Sequence, residues 1–278
     1  LPAPERVVAA SEAVQEGPRD ATEAALAAIW AQVLGRPSVG VHEDFFELGG
    51  DSILGIQVLA RAAQAGLHLT AKQLFELPTV AQLAAVAGTA PAVAAEQGLV
   101  TGRVELTPIQ RWFLDREPPA PHHFNQALRL TLRERIPAEV LERALQHLRE
   151  HHDALRLSYT RDGQGAWRQE VTGLEGTLPL LRVDVSGLPA DARRAAEESH
   201  GARAQASLEL ASGGVARAVL FEAGSEAPQE LVLIIHHLVV DAVSWRVLVE
   251  DLLTACQQLR AGEPVRLPPK TLSFAWWA

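Results

Sequence analysis

Leu231-Val-Leu-Ile-Ile-His-His-Leu-Val-Val-Asp-Ala-Val-Ser-Trp-Arg246 decides the fold of the larger part of this chain. It opens as an unbroken apolar run rich in β-branched residues, which reads as a buried strand over residues 231–236. The run ends in His236 and His237, and an amphipathic helical pattern follows from Asp241 to Gln258. A buried strand that delivers an imidazole to its end is a common way to build a reaction centre, because imidazole changes charge near neutral pH.

Working outward, the same texture of strands alternating with helices begins near residue 104. Thr107-Pro-Ile-Gln-Arg-Trp-Phe-Leu114 reads as a short helix with proline in its first turn. Helices are also expected over 137–152 and 190–206. Strands are expected over 125–132, 154–159, 167–171, 178–183 and 215–221, with 167–171 pairing onto 154–159 across Asp162-Gly163. Alternating elements of this kind predict an α/β domain, a mixed sheet with at least two flanking helices.

The first part of the chain differs. Residues 1–19 have no period and read as a linker. Leu26, Ile29, Trp30, Val33 and Leu34 recur at helical spacing, with Asp20 or Thr22 as the cap. A loop leads to Phe45-Phe-Glu-Leu-Gly-Gly-Asp-Ser-Ile53. There Gly49-Gly50 allows a sharp turn, and Asp51-Ser52 opens a helix carrying Ile53, Ile56, Val58 and Leu59. Further helices start at Thr70 and at Pro78-Thr79, which makes a small all-α bundle of three or four helices. Residues 89–103, rich in Ala, Pro and Gly, read as the linker between a domain over 20–88 and one over 104–278.

Composition narrows the function. The chain has 278 residues, 47% apolar and 21% charged, as a globular protein does. A net charge of −9 without a basic cluster disfavours nucleic acid as a partner. No apolar run is long enough to span a membrane, and the start lacks a signal-peptide core. The single cysteine, Cys256, falls on the apolar pattern of a helix and points to core packing in a reducing, cytoplasmic compartment. The chain has no methionine, begins at Leu1 and stops in the apolar Phe274-Ala-Trp-Trp-Ala278, so an excerpt of a longer polypeptide is expected. Histidine pairs occur at 122–123, 151–152 and 236–237. Neighbours on a strand point to opposite faces, and no Cys pair or His-Glu-x-x-His accompanies them, so no metal site is expected.

Phe45-Phe-Glu-Leu-Gly-Gly-Asp-Ser-Ile53 resembles the attachment motif of peptidyl carrier domains of nonribosomal peptide synthetases. His236-His-Leu-Val-Val-Asp241 resembles the His-His-x-x-x-Asp-Gly signature of the condensation/epimerization superfamily, with Ala242 where glycine is expected. Thr107-Pro-Ile-Gln-Arg-Trp-Phe113, His151-His-Asp-Ala-Leu-Arg156 and Val243-Ser-Trp-Arg246 are similar to epimerization-type motifs, as is Asp51 before Ser52.

The resemblance implies a chloramphenicol-acetyltransferase-like lobe, of which only the first of two is present. It implies a 4′-phosphopantetheine arm on Ser52, with Gly50 and Asp51 beside it, and His237 as active-site base. His236 is expected to pack. Asp241 is either a catalytic acid or, as the resemblance favours, a structural partner of a buried cation such as Arg246 or Arg156. Ser244 and Trp245 either line the substrate tunnel or pack. Epimerization partners in this family use a glutamate from the second lobe, and no position here corresponds to it.

The chemistry is consistent with these roles. A helix start after Gly-Gly exposes a serine and favours a phosphate. A thioester acidifies the neighbouring Cα–H by delocalising charge onto oxygen, so one base can remove that proton and a second group can return one to the other face. No Gly-x-Ser-x-Gly elbow supports a serine nucleophile. The expected function is therefore a carrier of aminoacyl or peptidyl thioesters coupled to epimerization. The implied partners are an upstream adenylation domain, a phosphopantetheinyl transferase and a downstream condensation domain. The alternatives are amide-forming condensation and a non-catalytic recruiting platform. The 278 residues alone are expected to load as a carrier without epimerase turnover.

Overall fold

The computed structural model describes residues 16–88, 95–225 and 227–278; the rest of both expected linkers lies outside them. Residues up to 88 and residues from 95 onward belong to two separate compact units.

The first unit is helical. Helix α1 (Ala21–Leu34) is capped by Asp20, whose carboxylate accepts the Glu23 N–H at 2.8 Å, and ends at Gly35 in the left-handed region. Helices α2 (Ser52–Gln64), α3 (Ala71–Glu76) and α4 (Val80–Val86) follow, capped by Asp51, Thr70 and Thr79. Their inward faces enclose Leu26, Trp30, Phe45, Val58, Leu74 and Leu83. Ile56 and Phe75, part of the apolar pattern in sequence, are instead 46% and 55% exposed.

The second unit contains two sheets where one was expected. The larger has the order β2 (Asn125–Leu132), β7 (Gln229–His236), β6 (Ala216–Glu222), β5 (Leu180–Asp184). Its β2–β7 and β7–β6 pairs are antiparallel and β6–β5 is parallel, so the sheet is mixed. Side chains alternate across it. Leu231, Leu233 and Ile235 join the core that also holds Leu141, Leu145 and Leu148 of α6 (Ala138–His151) and Leu248 and Leu252 of α8 (Ala242–Arg260). Ile234, Val219 and Phe221 face the other way, in a cluster with Ala204 of α7 (Ala190–Ala206). Strand β7 is thus covered on both faces, which is why its sequence is continuously apolar rather than alternating.

The smaller sheet is antiparallel, in the order β1 (Gly102–Val104), β4 (Trp167–Val171), β3 (Leu157–Arg161). Strand β1 takes in Gly102 and Arg103, two residues of the expected linker. The strand expected from Ala154 begins only at Leu157, because Asp153–Arg156 form a 3-10 turn. Arg156 is fully buried there, its guanidinium donating to the Val100 carbonyl at 3.0 Å and to that of Thr172. Helix α5 (Pro108–Asp115) starts with a Thr107–Gln110 capping box, and a short helix α9 (Phe274–Trp277) follows α8.

Candidate active site and attachment site

In the first unit the loop before α2 is folded back on itself. The Gly50 N–H donates to the Phe45 carbonyl at 2.9 Å. A Cβ on Gly50 would stand 2.5 Å from that oxygen and from the Phe45 ring, so only glycine fits. Gly49 has φ +97°, in the left-handed region. Phe45 is buried edge-on against Trp30, 4.9 Å between ring centroids. The loop is therefore anchored from below, and Asp51 and Ser52 emerge exposed at its end. Asp51 Oδ1 accepts the Ile53 and Leu54 N–H groups at 2.9 and 2.8 Å. The cap is the aspartate, which leaves the Ser52 hydroxyl at the first helical residue open to solvent.

In the second unit β7 delivers the histidine pair and the two rings part company. His236 is wholly buried. Its Nε2 donates to the Pro121 carbonyl at 2.7 Å and its Nδ1 accepts the Leu238 N–H at 3.1 Å. Burial pushes its pKa down to about 4, and the nearby His122 and His237 push the same way. It stays neutral and holds the loop.

His237 is half-buried beside Phe124, ring centroids 5.0 Å apart. Its Nδ1 lies 2.8 Å from the Val240 carbonyl and its Nε2 lies 3.2 Å from Gln126 Nε2. A carbonyl only accepts, so Nδ1 carries the proton and Nε2 is the basic nitrogen. The Trp245 indole donates to Gln126 Oε1 at 2.8 Å. Trp245 is half-buried and fixed by this bond.

Asp241 departs from expectation. It is exposed and makes no ion pair with Arg246 or Arg156 among the described residues. Its Oδ1 instead accepts the Ser244 N–H at 2.8 Å and the Ser244 hydroxyl at 2.7 Å, capping α8. A short carboxylate at a helix start finds the free N–H groups of the first turn closer than any cation. Ser244 is thereby committed to the cap. Ala242 is the exposed first residue of α8, a helical position where alanine is better suited than glycine.

Two supports were missed in the sequence. Gln126 sits 111 positions from His237, and only the β2–β7 register brings it beside the histidines. Gln110 is buried and donates to the Tyr159 hydroxyl at 3.0 Å and the Leu238 carbonyl at 3.3 Å, tying α5 to the histidine loop. Phe113 of the same helix stacks on Phe124.

His151 and His152 close helix α6 rather than lying on a strand, so the opposite-faces reason does not apply to this pair. Their ring nitrogens and an Asp251 oxygen lie within 4.8 Å of one another. Here His152 Nε2 and Asp251 Oδ2 are hydrogen-bonded at 2.8 Å, tying α6 to α8. Cys256 is buried in the core, its thiol pushed up to about 11 by burial. No helix among the described residues is long and apolar enough to cross a membrane.

Comparison with known proteins agrees with this layout. The phosphopantetheine attachment site family matches residues 24–87 and the Condensation domain family matches residues 100–278. Linear gramicidin synthase subunits C and B of Brevibacillus parabrevis are 48% identical over 284 residues and 49% identical over 257. These alignments take in 100% and 92% of this chain but only 4% and 5% of those proteins. The crystal structure of the epimerization domain from the third module of tyrocidine synthetase B is 36% identical, with a TM-score of 0.61 over 66% of this chain and 41% of that one. With its histidine loop inside a match that covers residues 100–278, the chain belongs to the condensation-domain family and carries a phosphopantetheine-attachment domain ahead of that domain.

Proposed function

We propose that this chain is the carrier and first lobe of an epimerization unit in a nonribosomal peptide synthetase. The carrying observation is the state of His237, with Nδ1–H bound to the Val240 carbonyl and Nε2 left as the acceptor nitrogen of a half-buried ring. The exposed Ser52 hydroxyl after the Gly50 turn fits attachment of the phosphopantetheine arm by a transferase. Bound there, the arm supplies an aminoacyl or peptidyl thioester, whose Cα–H is acidified.

His237 Nε2 takes the Cα proton, the bonding pair stays with the substrate, and a proton delivered to the opposite face inverts the centre. A base so positioned contributes about 10²–10⁴-fold. The returning acid is expected from residues beyond these 278, as are the adenylation and condensation domains that load and consume the thioester. Epimerization is favoured over amide formation by Val243-Ser-Trp-Arg246 and by the 36% identity to a solved epimerization domain. A recruiting platform would have no use for an imidazole held by partners at both nitrogens. A single buried cysteine accords with a reducing, cytoplasmic setting.

The test uses a synthetase that contains this chain, with Ser52 loaded with an L-aminoacyl-phosphopantetheine in heavy water. Deuterium at Cα and appearance of the D-residue, both lost in His237→Ala, are expected. Uptake undiminished in that variant overturns the assignment. Loading without uptake, together with amide formation on a downstream acceptor, replaces epimerization by condensation.

A further inference from the structure

The basic nitrogen of His237 has a partner that proton removal does not explain. An imidazole nitrogen offers one in-plane lone pair, and the Gln126 side-chain nitrogen approaches it at 3.2 Å. The amide can be oriented only one way. The Trp245 indole N–H is solely a donor and lies 2.8 Å from Oε1, so the oxygen faces the indole and the NH₂ faces His237. On the opposite edge of the ring, Val240 offers only an acceptor to Nδ1. Two elements therefore meet the ring directly, β2 through Gln126 and the loop through Val240, and α8 holds Gln126 in place through Trp245.

We propose that Gln126, oriented by Trp245, is a positioning residue that fixes the tautomer and ring orientation of His237 and covers its Nε2 lone pair until substrate displaces the amide. This inference rests on reading His237 as the base. Glutamine suits the task because its amide both accepts from the indole and donates to the imidazole. A glutamate would present only acceptors and draw a proton onto Nε2, the wrong state for a base. A leucine would leave Nε2 uncovered.

Two measurements on this chain test it without any turnover. In histidine-labelled protein, two-bond proton–nitrogen correlation is expected to show His237 protonated at Nδ1, with an Nε2 resonance displaced by an accepted hydrogen bond. In Gln126→Leu that resonance moves to the position of an uncovered acceptor nitrogen, and carbethoxylation of His237 by diethyl pyrocarbonate becomes several-fold faster. In Gln126→Glu the proton appears on Nε2 and carbethoxylation slows. Trp245→Phe follows Gln126→Leu with a smaller change. Unchanged His236 resonances report an intact fold in each variant.

A wild-type proton on Nε2, or a Gln126→Leu variant with neither the resonance nor the reactivity altered, overturns the proposal. Expected spectra combined with Cα exchange that survives His237→Ala would instead remove the base assignment and leave the tautomer lock standing.

Discussion

Both candidate sites adjoin a helix whose first turn is capped by an aspartate, and the two caps serve opposite ends. At α2, Asp51 takes the Ile53 and Leu54 N–H groups and the residue that matters, Ser52, lies just inside the helix and is exposed. At α8, Asp241 takes the Ser244 N–H and hydroxyl, and the residue that matters lies just outside: Val240, whose carbonyl holds His237 Nδ1–H. One helix start presents a hydroxyl; the other anchors a carbonyl. A hydroxyl that a separate enzyme must modify needs access and a fixed backbone. An imidazole that must keep its proton on one nitrogen needs partners on both.

The sharpest test of that contrast is Ser52→Ala, expected to abolish the mass increase on incubation with a phosphopantetheinyl transferase while the helical signal is retained. Loading that persists would place the attachment elsewhere.

Next in size is the acid response of the second unit. The pKa of His236 is held down to about 4 from an ordinary 6.5. Between those values the unfolded chain binds a proton that the folded one refuses, so the contribution is intact above pH 6.5 and is lost as pH falls towards 4. The loss is on the order of 3 kcal/mol. Urea midpoints at the two ends of that window are expected to converge in His236→Gln; an unaltered slope would mean that the buried ring is not the cause.

Gly50→Ala drives a methyl into Phe45 and is expected to cost the first unit about 1–3 kcal/mol. The matching change at the other helix, Ala242→Gly, costs under about 1 kcal/mol because that position is exposed and helical. Comparable losses at both would show that the Gly50 contact relaxes away.

The caps each act on a single helix end. Asp51→Ala and Asp241→Ala each remove about 0.5–2 kcal/mol of helix stability. Only the second is expected to disturb the His237 ring resonances, and Asp51→Ala is expected to load its arm as wild type does. Cα exchange that survives Asp241→Ala at full rate would detach the cap from the base.

Local signals were legible wherever one residue type in one place carries the message. The four helix starts of the first unit announce themselves by Asp20, Asp51, Thr70 and Thr79, and each caps the helix it precedes. Strand β2 has the bounds read from its alternation, Asn125–Leu132. Local signals mislead where a long-range partner outbids local propensity. Gly102 and Arg103 look like linker because Gly-Arg has no strand signal, yet β4 supplies the hydrogen bonds. Asp153–Arg156 look extended, yet Arg156 turns inward to the Val100 and Thr172 carbonyls. Asp241 looks like the partner of a cation, yet the Ser244 N–H three residues on donates to its carboxylate.

The sequence by itself determined the two-part organisation of helices followed by alternating α and β, the turn that exposes Ser52, and which of two adjacent histidines ends on a buried strand. Hydrophobic period, glycine and capping residues act over a few positions, so a single chain displays them. Tertiary structure alone decided that His236 is neutral and occupied on both nitrogens, that His237 keeps Nε2 as its acceptor, and that Gln126, held by Trp245, stands against it. The Pro121, Gln126 and Trp245 bonds join strands, loops and helices more than a hundred residues apart in the chain, and no periodicity encodes that pairing.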